Sequence, residues 1–364
     1  MTAIRRIPGL RPLACMGTQL VVARGLKLYL ADADITTLRP LDSLPAGLRE
    51  RLLGWLPIAR RILRIGPTAA VAVNDTQALI LNGSHIERLD IASGKLQREF
   101  TLPDGKRFLT LHRVAGIPGF ADGFYGGEYW ANEHTRAPVA IWFRPLHAPD
   151  WRMIHQFQAG SIDHIHTIVP DVHRGCLWIL TGDFGDGAGI WQVHDQFQAV
   201  TPILRGEQRY RAAWLYPTAN ALFYATDSQL EPNHLYRASE RAGGWAVDAI
   251  APLEGSSIYS CNAADVVHFS TTVEPGMPTG RLADLFDRRP GPGIADRYAY
   301  LYRFSPQTGL QCLRRAEKDA WPMRLAQFGT FHFCQSASDK GVVYAYGAAI
   351  KKDNNCLLAI TPAE

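Results

Sequence analysis

Along most of the chain, apolar and polar residues alternate in short runs, and each run ends in Gly, Pro, Asp or Asn. Alternation with a period of two gives a strand one apolar and one polar face. Turn residues at such frequent intervals point to a many-stranded antiparallel protein. One unit recurs: an aliphatic or aromatic strand, a tight polar turn, and a second strand. It appears as "LKLYLADADITTLRPL" from Leu26, "HIERLDIASGKLQREF" from His85 and "AIWFRPLHAPDWRMIHQF" from Ala140. It returns as "IWQVHDQFQAVTPI" from Ile190, "LYRASERAGGWAVDAI" from Leu235 and "LYRFSPQTGLQCLRRA" from Leu301. Successive copies lie about 45 to 66 residues apart, close to the period of propeller blades.

Each copy reads as the outer hairpin of a four-stranded antiparallel blade. Six copies and a final partial one, "NCLLAITPAE", predict an all-β, seven-bladed β-propeller, with six blades as the alternative. The N-terminal segment then completes the last blade and removes its open edge. Residues 1–364 form one propeller domain in this reading. Two segments interrupt the pattern. Leu44 to Arg64 has the helical spacing of Leu48, Leu52, Leu53 and Leu56, with arginines between and Pro57 as a break. It predicts a helical insertion near 44–64 that covers a blade or rim, with peripheral membrane contact as the second reading. Pro275 to Ala299, rich in Pro and Gly, predicts a loop insertion near 275–299 with a functional or lid role.

Composition narrows the function classes. The chain has 364 residues, 47% of them hydrophobic, so it can bury a large core. A net charge of +4, with 38 Lys and Arg against 34 Asp and Glu, argues against a nucleic-acid partner. Six cysteines without a CxxC pair read as free thiols. No signal peptide or transmembrane segment is evident, which predicts a cytoplasmic protein.

Aligning the blades places the polar chemistry at one mouth. In such a blade the inner strand starts where the second strand ends. The second strands end as "FYGGEY", "WILTGDFGD", "FYATDS" and "FSTTVEP", giving Glu128, Asp183, Asp227 and Glu274 at one address. Acids are disfavoured in strands, so four of them there point to a shared task. The inner strands start as "KRFLTLHRV", "GSIDHIHTI", "GEQRYRAAW", "GSSIYSCNA" and "KDAWPMRLAQFG". These contribute His112, His164, His166, Arg209, Tyr210, Arg211, Tyr259, Lys318 and Trp321 to the same mouth.

Facing carboxylates suit glycoside hydrolysis, one acid protonating the leaving oxygen and the other attacking or activating water. Arginine and lysine beside them suit an acidic oligosaccharide or polysaccharide, and Tyr and Trp can stack on sugar faces. Hydrolysis is the leading expectation, because four acids need a role; the same set supports a lyase as the alternative, with His164 or His166 and Tyr210 or Tyr259 as base and Arg211 neutralising the carboxylate. His164, His166 and Asp183 are also candidate ligands for a divalent metal ion. A non-catalytic glycan- or protein-binding propeller is the competing class. "GDFGDGAG" lacks the residues of a phosphate or Ca²⁺ loop and reads as a hairpin turn.

"TGDFGDGAGIW" resembles a degenerate Asp-box whose Trp arrives three residues late, at Trp191, and "SPQTGLQ" keeps Ser305 and Gly309 but has Gln307 in place of the acid. These resemble the BNR repeats of the sialidase superfamily. The wider series "YGGEYWANEHTRAPVAIW", "GSIDHIHTIVPD", "GEQRYRAAWL", "ATDSQLEPNHLYR" and "KDAWPMRLAQFG" resembles a bacterial BNR-like propeller family met beside polysaccharide-biosynthesis genes. The resemblance implies a propeller in a glycan context. Its motifs fall on Glu128, His164, His166, Asp183, Arg211, Asp227, Glu274 and Lys318, and add Gln208 and Asn233 to the substrate-binding set.

Overall fold

The computed structural model describes residues 3–54 and 56–362, with backbone alone for Arg49, Arg51 and Pro57. Seven antiparallel sheets make seven blades, with strands in sequence order in all but the last, whose outer edge is the first strand of the chain. They occupy residues 11–43, 69–101, 107–157, 164–205, 216–253, 260–317 and 330–361. We number them blades 1 to 7 in that order. Every recurring hairpin of the sequence is the third and fourth strand of its blade. Six blades are excluded, because the weak unit at Leu26 is the outer hairpin of a complete four-stranded sheet, Arg11–Met16 to Leu38–Ser43.

Strand Ala3–Pro8 supplies the outer edge of blade 7. It runs antiparallel to Cys356–Thr361, from Ala3 opposite Thr361 to Pro8 opposite Cys356. The N-terminal segment therefore closes the ring, as the sequence pattern predicts.

Burial follows the radial arrangement. Seven of the eight apolar clusters each join two neighbouring blades, and the eighth, Val273, Ile294 and Met323, lies under the 275–299 insertion. Val139, Ile141 and Phe143 of blade 3, for example, meet Ile165, Leu177 and Ile179 of blade 4. Both faces of each sheet are thus covered, which explains strands such as "CLWILTG" (Cys176–Gly182) that are buried at every position. Glycines mark the tightest approaches between blades. A Cβ at Gly127 would lie 2.3 Å from Ile165 of the next blade.

Both insertions lie at the mouth where the inner strands start. Leu44 to Arg64 forms two short helices, Leu48–Leu53 and Pro57–Ile62, rather than one, and Trp55 lies outside the described residues. The buried Arg61 ties the second helix across the ring: its guanidinium donates to the Ala326 carbonyl at 2.6 and 3.1 Å and pairs with Asp319 at 2.7 Å. The insertion at 275–299 is pinned to blade 5 through Gly293 N to Gln229 O (3.0 Å) and Asn233 Nδ2 to Gly293 O (2.9 Å). No helix among the described residues is long and apolar enough to cross a membrane.

Trp178 is fully buried in the wedge between blades 4 and 5, where its indole NH donates to Asp171 at 2.9 Å. Trp178→Ala is expected to cost about 3–5 kcal/mol in denaturant unfolding. Trp321→Ala, at a site 47% exposed, should stay within about 0.5 kcal/mol of the parent.

Candidate functional site

The inner strand of blade 4, His164–Asp171, starts at the mouth with His164 opposite Gly182. His164 and His166 are two apart and share one side of the strand, so their rings meet, with Nε2 atoms 3.1 Å apart. Glycine at 182 is required, because a Cβ there would lie 2.4 Å from the His166 ring. The next residue, Asp183, brings Oδ1 to 3.1 Å from His166 Nε2 and 3.4 Å from His164 Nε2. Buried Asp163 shapes this loop from beneath. Its Oδ2 accepts the backbone NH groups of Asp183 (2.6 Å) and Phe184 (3.2 Å), and Arg136 pairs with its Oδ1 at 2.8 Å.

Arg211 enters from the segment before the inner strand of blade 5 and meets Asp183 at 3.1 Å and Asp227 at 3.6 Å. Its other terminal nitrogen donates to Gln229 at 2.9 Å. Glu274, from blade 6, adds a third acid, buried like Asp227, whose charge acts on Arg211 and Asp227. The acids titrate in opposite directions. Burial opposes ionisation of Asp183, but Arg211 and the imidazoles outweigh it and hold this carboxyl well below the usual range. Burial, reinforced by Asp227, pushes Glu274 up to about 8. Burial also raises Asp227, against the pull of Arg211 and His166. His166 is raised because Asp183 and Asp227 outweigh its burial. Glu274 Oε1, Asp227 Oδ1 and Arg211 Nε are buried without a protein hydrogen-bond partner.

A cavity of about 770 Å³ opens in front of this cluster, reaching from His166 and Asp227 to blades 1 and 7 and the two short helices. Arginines line it: Arg11, Arg60 and Arg64 on the far side and Arg107 of blade 3 nearer the cluster, none in an ion pair with a carboxylate among the described residues. Arg11 lies over the Tyr346 ring at 5.5 Å, and Arg107 over the Tyr129 ring at 5.2 Å. His332, the third residue of blade 7's inner strand, packs on Tyr259 with ring centroids 4.1 Å apart. Burial and the nearby Arg11 push its pKa well below the ordinary value, so the imidazole is neutral. Burial raises the Tyr259 phenol and keeps it protonated.

The residues expected at the mouth therefore divide. His164, His166, Asp183, Arg211, Asp227 and Glu274 gather into one cluster. Gln208 braces it from behind, donating to the Asp183 carbonyl at 2.8 Å. Tyr259 stands on the cavity wall. Glu128 is elsewhere: its carboxylate accepts from Trp142 Nε1, Ala140 N and Lys106 Nζ at 2.9–3.1 Å, which ties two strands of its own blade together. Asn233 bridges Ser228 of its own blade and Gly293 of the 275–299 insertion. Arg209 pairs with Glu207 beside Tyr210, and Lys318 is buried against Asp319 and the Trp321 carbonyl. His112 bonds Thr167 at 2.8 Å, and burial lowers its pKa to about 4. Unforeseen are Tyr129, whose ring centroid lies 4.3 Å from that of His164, together with His332 and the four arginines. His332 had a signal, since it stands at the same third position of its strand as His166.

These features define a seven-bladed β-propeller with a charged cavity at one capped mouth. No family model matches the chain, and comparison with curated proteins gives no match. Among solved structures, it is similar to a chain of the mitotic checkpoint complex (TM-score 0.57, 10% identity, covering 100% of this chain and 91% of that one). It is equally similar to an oligogalacturonate lyase from Vibrio parahaemolyticus (TM-score 0.56, 10% identity, covering 100% and 98%). At this identity the likeness shows the fold. The two Asp-box-like stretches occupy different places in their blades. "TGDFGDGAGIW" joins the second and third strands of blade 4, whereas "SPQTGLQ" turns between the third and fourth of blade 6. They are not copies of one structural repeat.

Because its pKa is about 8 when folded and near 4.5 when free, Glu274 binds more protons in the folded state between those values. Its contribution to stability is complete below about 4.5 and is lost as pH rises through about 8. Glu274→Gln, which stays neutral, should lose less stability than the parent over that window. Unfolding free energies measured across it would reveal the difference.

Proposed function

We propose that the protein is a carbohydrate-active enzyme that takes an acidic oligosaccharide into the capped mouth and cleaves it by β-elimination beside a carboxylate. The observation that carries this reading is the set of guanidinium groups, Arg11, Arg60, Arg64 and Arg107, around one cavity without carboxylate partners. Four uncompensated cations in a partly desolvated space favour a polyanion. Tyr129, Tyr259 and Tyr346 line the same space and offer faces for sugar rings.

Elimination requires a base, a cation on the substrate carboxylate and a proton donor to the leaving oxygen. His332, Arg11 and Tyr259 supply them together. Neutral His332 takes the proton from the carbon next to the carboxylate, whose developing charge Arg11 neutralises. The electron pair forms the new double bond, the glycosidic C–O bond breaks, and the Tyr259 phenol donates its proton to the departing oxygen. A hydrolase would place two carboxylates on opposite sides of the scissile bond. Here the three acids of the mouth cluster around Arg211 instead. An oligogalacturonate lyase is built on the same architecture, so the fold accommodates a polysaccharide-related site.

Incubation with a panel of uronate oligosaccharides should give fragments whose masses sum to that of the parent and a new ultraviolet-absorbing double bond. Fragments that together gain one water would establish hydrolysis and overturn the elimination. Bound but intact oligosaccharide throughout would make this a binding propeller. His332→Gln should lower turnover by about 10²–10⁴-fold, whereas Glu128→Gln should leave it unchanged. Since His332 stays neutral below the ordinary imidazole value of 6.5, kcat should hold steady as pH falls past that point.

A further inference from the structure

The imidazoles of His164 and His166 are oriented by their outer nitrogens. His164 Nδ1 lies 3.1 Å from the Trp130 carbonyl oxygen, and His166 Nδ1 lies 2.8 Å from that of Ala212. A carbonyl oxygen only accepts, so each Nδ1 carries a hydrogen. In the neutral rings both Nε2 atoms then turn lone pairs inward, toward each other and toward Asp183 Oδ1. Three electron-rich atoms stand in a triangle with edges of 3.1, 3.1 and 3.4 Å. Uncompensated, that arrangement is repulsive.

From this geometry we infer that His164, His166 and Asp183 are the ligands of a divalent transition-metal ion. Bonds of about 2.0–2.2 Å from imidazole nitrogen and carboxylate oxygen put adjacent donors roughly 3.0–3.5 Å apart around one ion, which these edges match. A backbone carbonyl holding the outer nitrogen is the usual support for a ligating histidine. Gly182 leaves room, since a Cβ there would lie 2.5 Å from His166 Nε2 and 3.4 Å from His164 Nε2. A single proton on His166 satisfies the triangle less well. One N–H cannot point at both His164 Nε2 and Asp183, while an ion engages all three atoms at once. Arg211, 3.1 Å from the same carboxylate oxygen, holds Asp183 in place from the side. Two imidazoles and one carboxylate suit Zn²⁺, Mn²⁺ or Fe²⁺ and leave coordination positions for water or a ligand.

The inference stands apart from the elimination chemistry, because it is read from binding of the ion alone. Chelator-treated protein is titrated with Zn²⁺ and, separately, Mn²⁺ by calorimetry, with elemental analysis of the dialysed product. One equivalent per chain is expected, and Asp183→Asn and His166→Gln should each weaken binding by more than about tenfold while keeping the parent circular dichroism spectrum. Should a variant fail to fold, histidine-ring ¹⁵N spectra of the unmodified protein decide: Zn²⁺ should shift two Nε2 signals while both Nδ1–H groups persist. Substoichiometric binding, equal binding by the folded variants, or unshifted Nε2 signals would overturn the assignment.

Discussion

Apolar packing between neighbouring sheets is the interaction on which everything else in this molecule rests. Each blade buries both faces against its neighbours, so the core is seven wedges arranged around an axis. Radial wedges cannot fill the axis itself. The inner strands bring their first residues together there, at the end where the apolar run has not yet begun. A polar centre follows from that geometry, and its buried charges are offset by pairing with Arg211. The side chains exposed to it, from His164 to His332, are freed from packing duties and available for chemistry.

Charge is unevenly distributed around that centre. Blades 4 to 6 supply acids and imidazoles, with Arg211 as the cation that holds them together. Blade 1 and the two short helices supply Arg11, Arg60 and Arg64, and blade 3 adds Arg107; Arg11 lies over Tyr346 of blade 7 and Arg107 over Tyr129. The cavity is therefore lined by acids and imidazoles on one side and by guanidinium groups on the other, with Arg107 bordering both. Arg61 keeps the helical cap in register with the blade 6–7 connection, which fixes the positions of Arg60 and Arg64 above the mouth.

The blade count was legible because each outer hairpin carries its own turn chemistry, and Ser-Gly, Gly-Gly and Thr-Gly survive as local signals whatever the tertiary context. Half of the site was legible for a related reason. Acids at second-strand ends break a local preference, so Asp183, Asp227 and Glu274 stand out. Glu128 broke the same preference for a structural purpose, to accept three hydrogen bonds within its blade, and strand alternation turned its neighbour Tyr129 toward His164. The arginines were opaque. An arginine on a helix reads the same whether it faces solvent or a cavity, and only the break between Leu53 and Pro57 folds Arg60 and Arg64 over the mouth.

Closure of the ring by Ala3–Pro8 against Cys356–Thr361 has a consequence for the newborn chain. Of the propeller's strands, the earliest synthesised must wait for the latest before it finds its partner. Blades 1 to 6 can stack in order as they emerge, but they form an arc with two raw ends. Arg11 sits near one end of that arc and His332 arrives only with the final blade. Until the two ends meet, Arg11 has neither Tyr346 nor His332 to face, and the cavity stands open along one side.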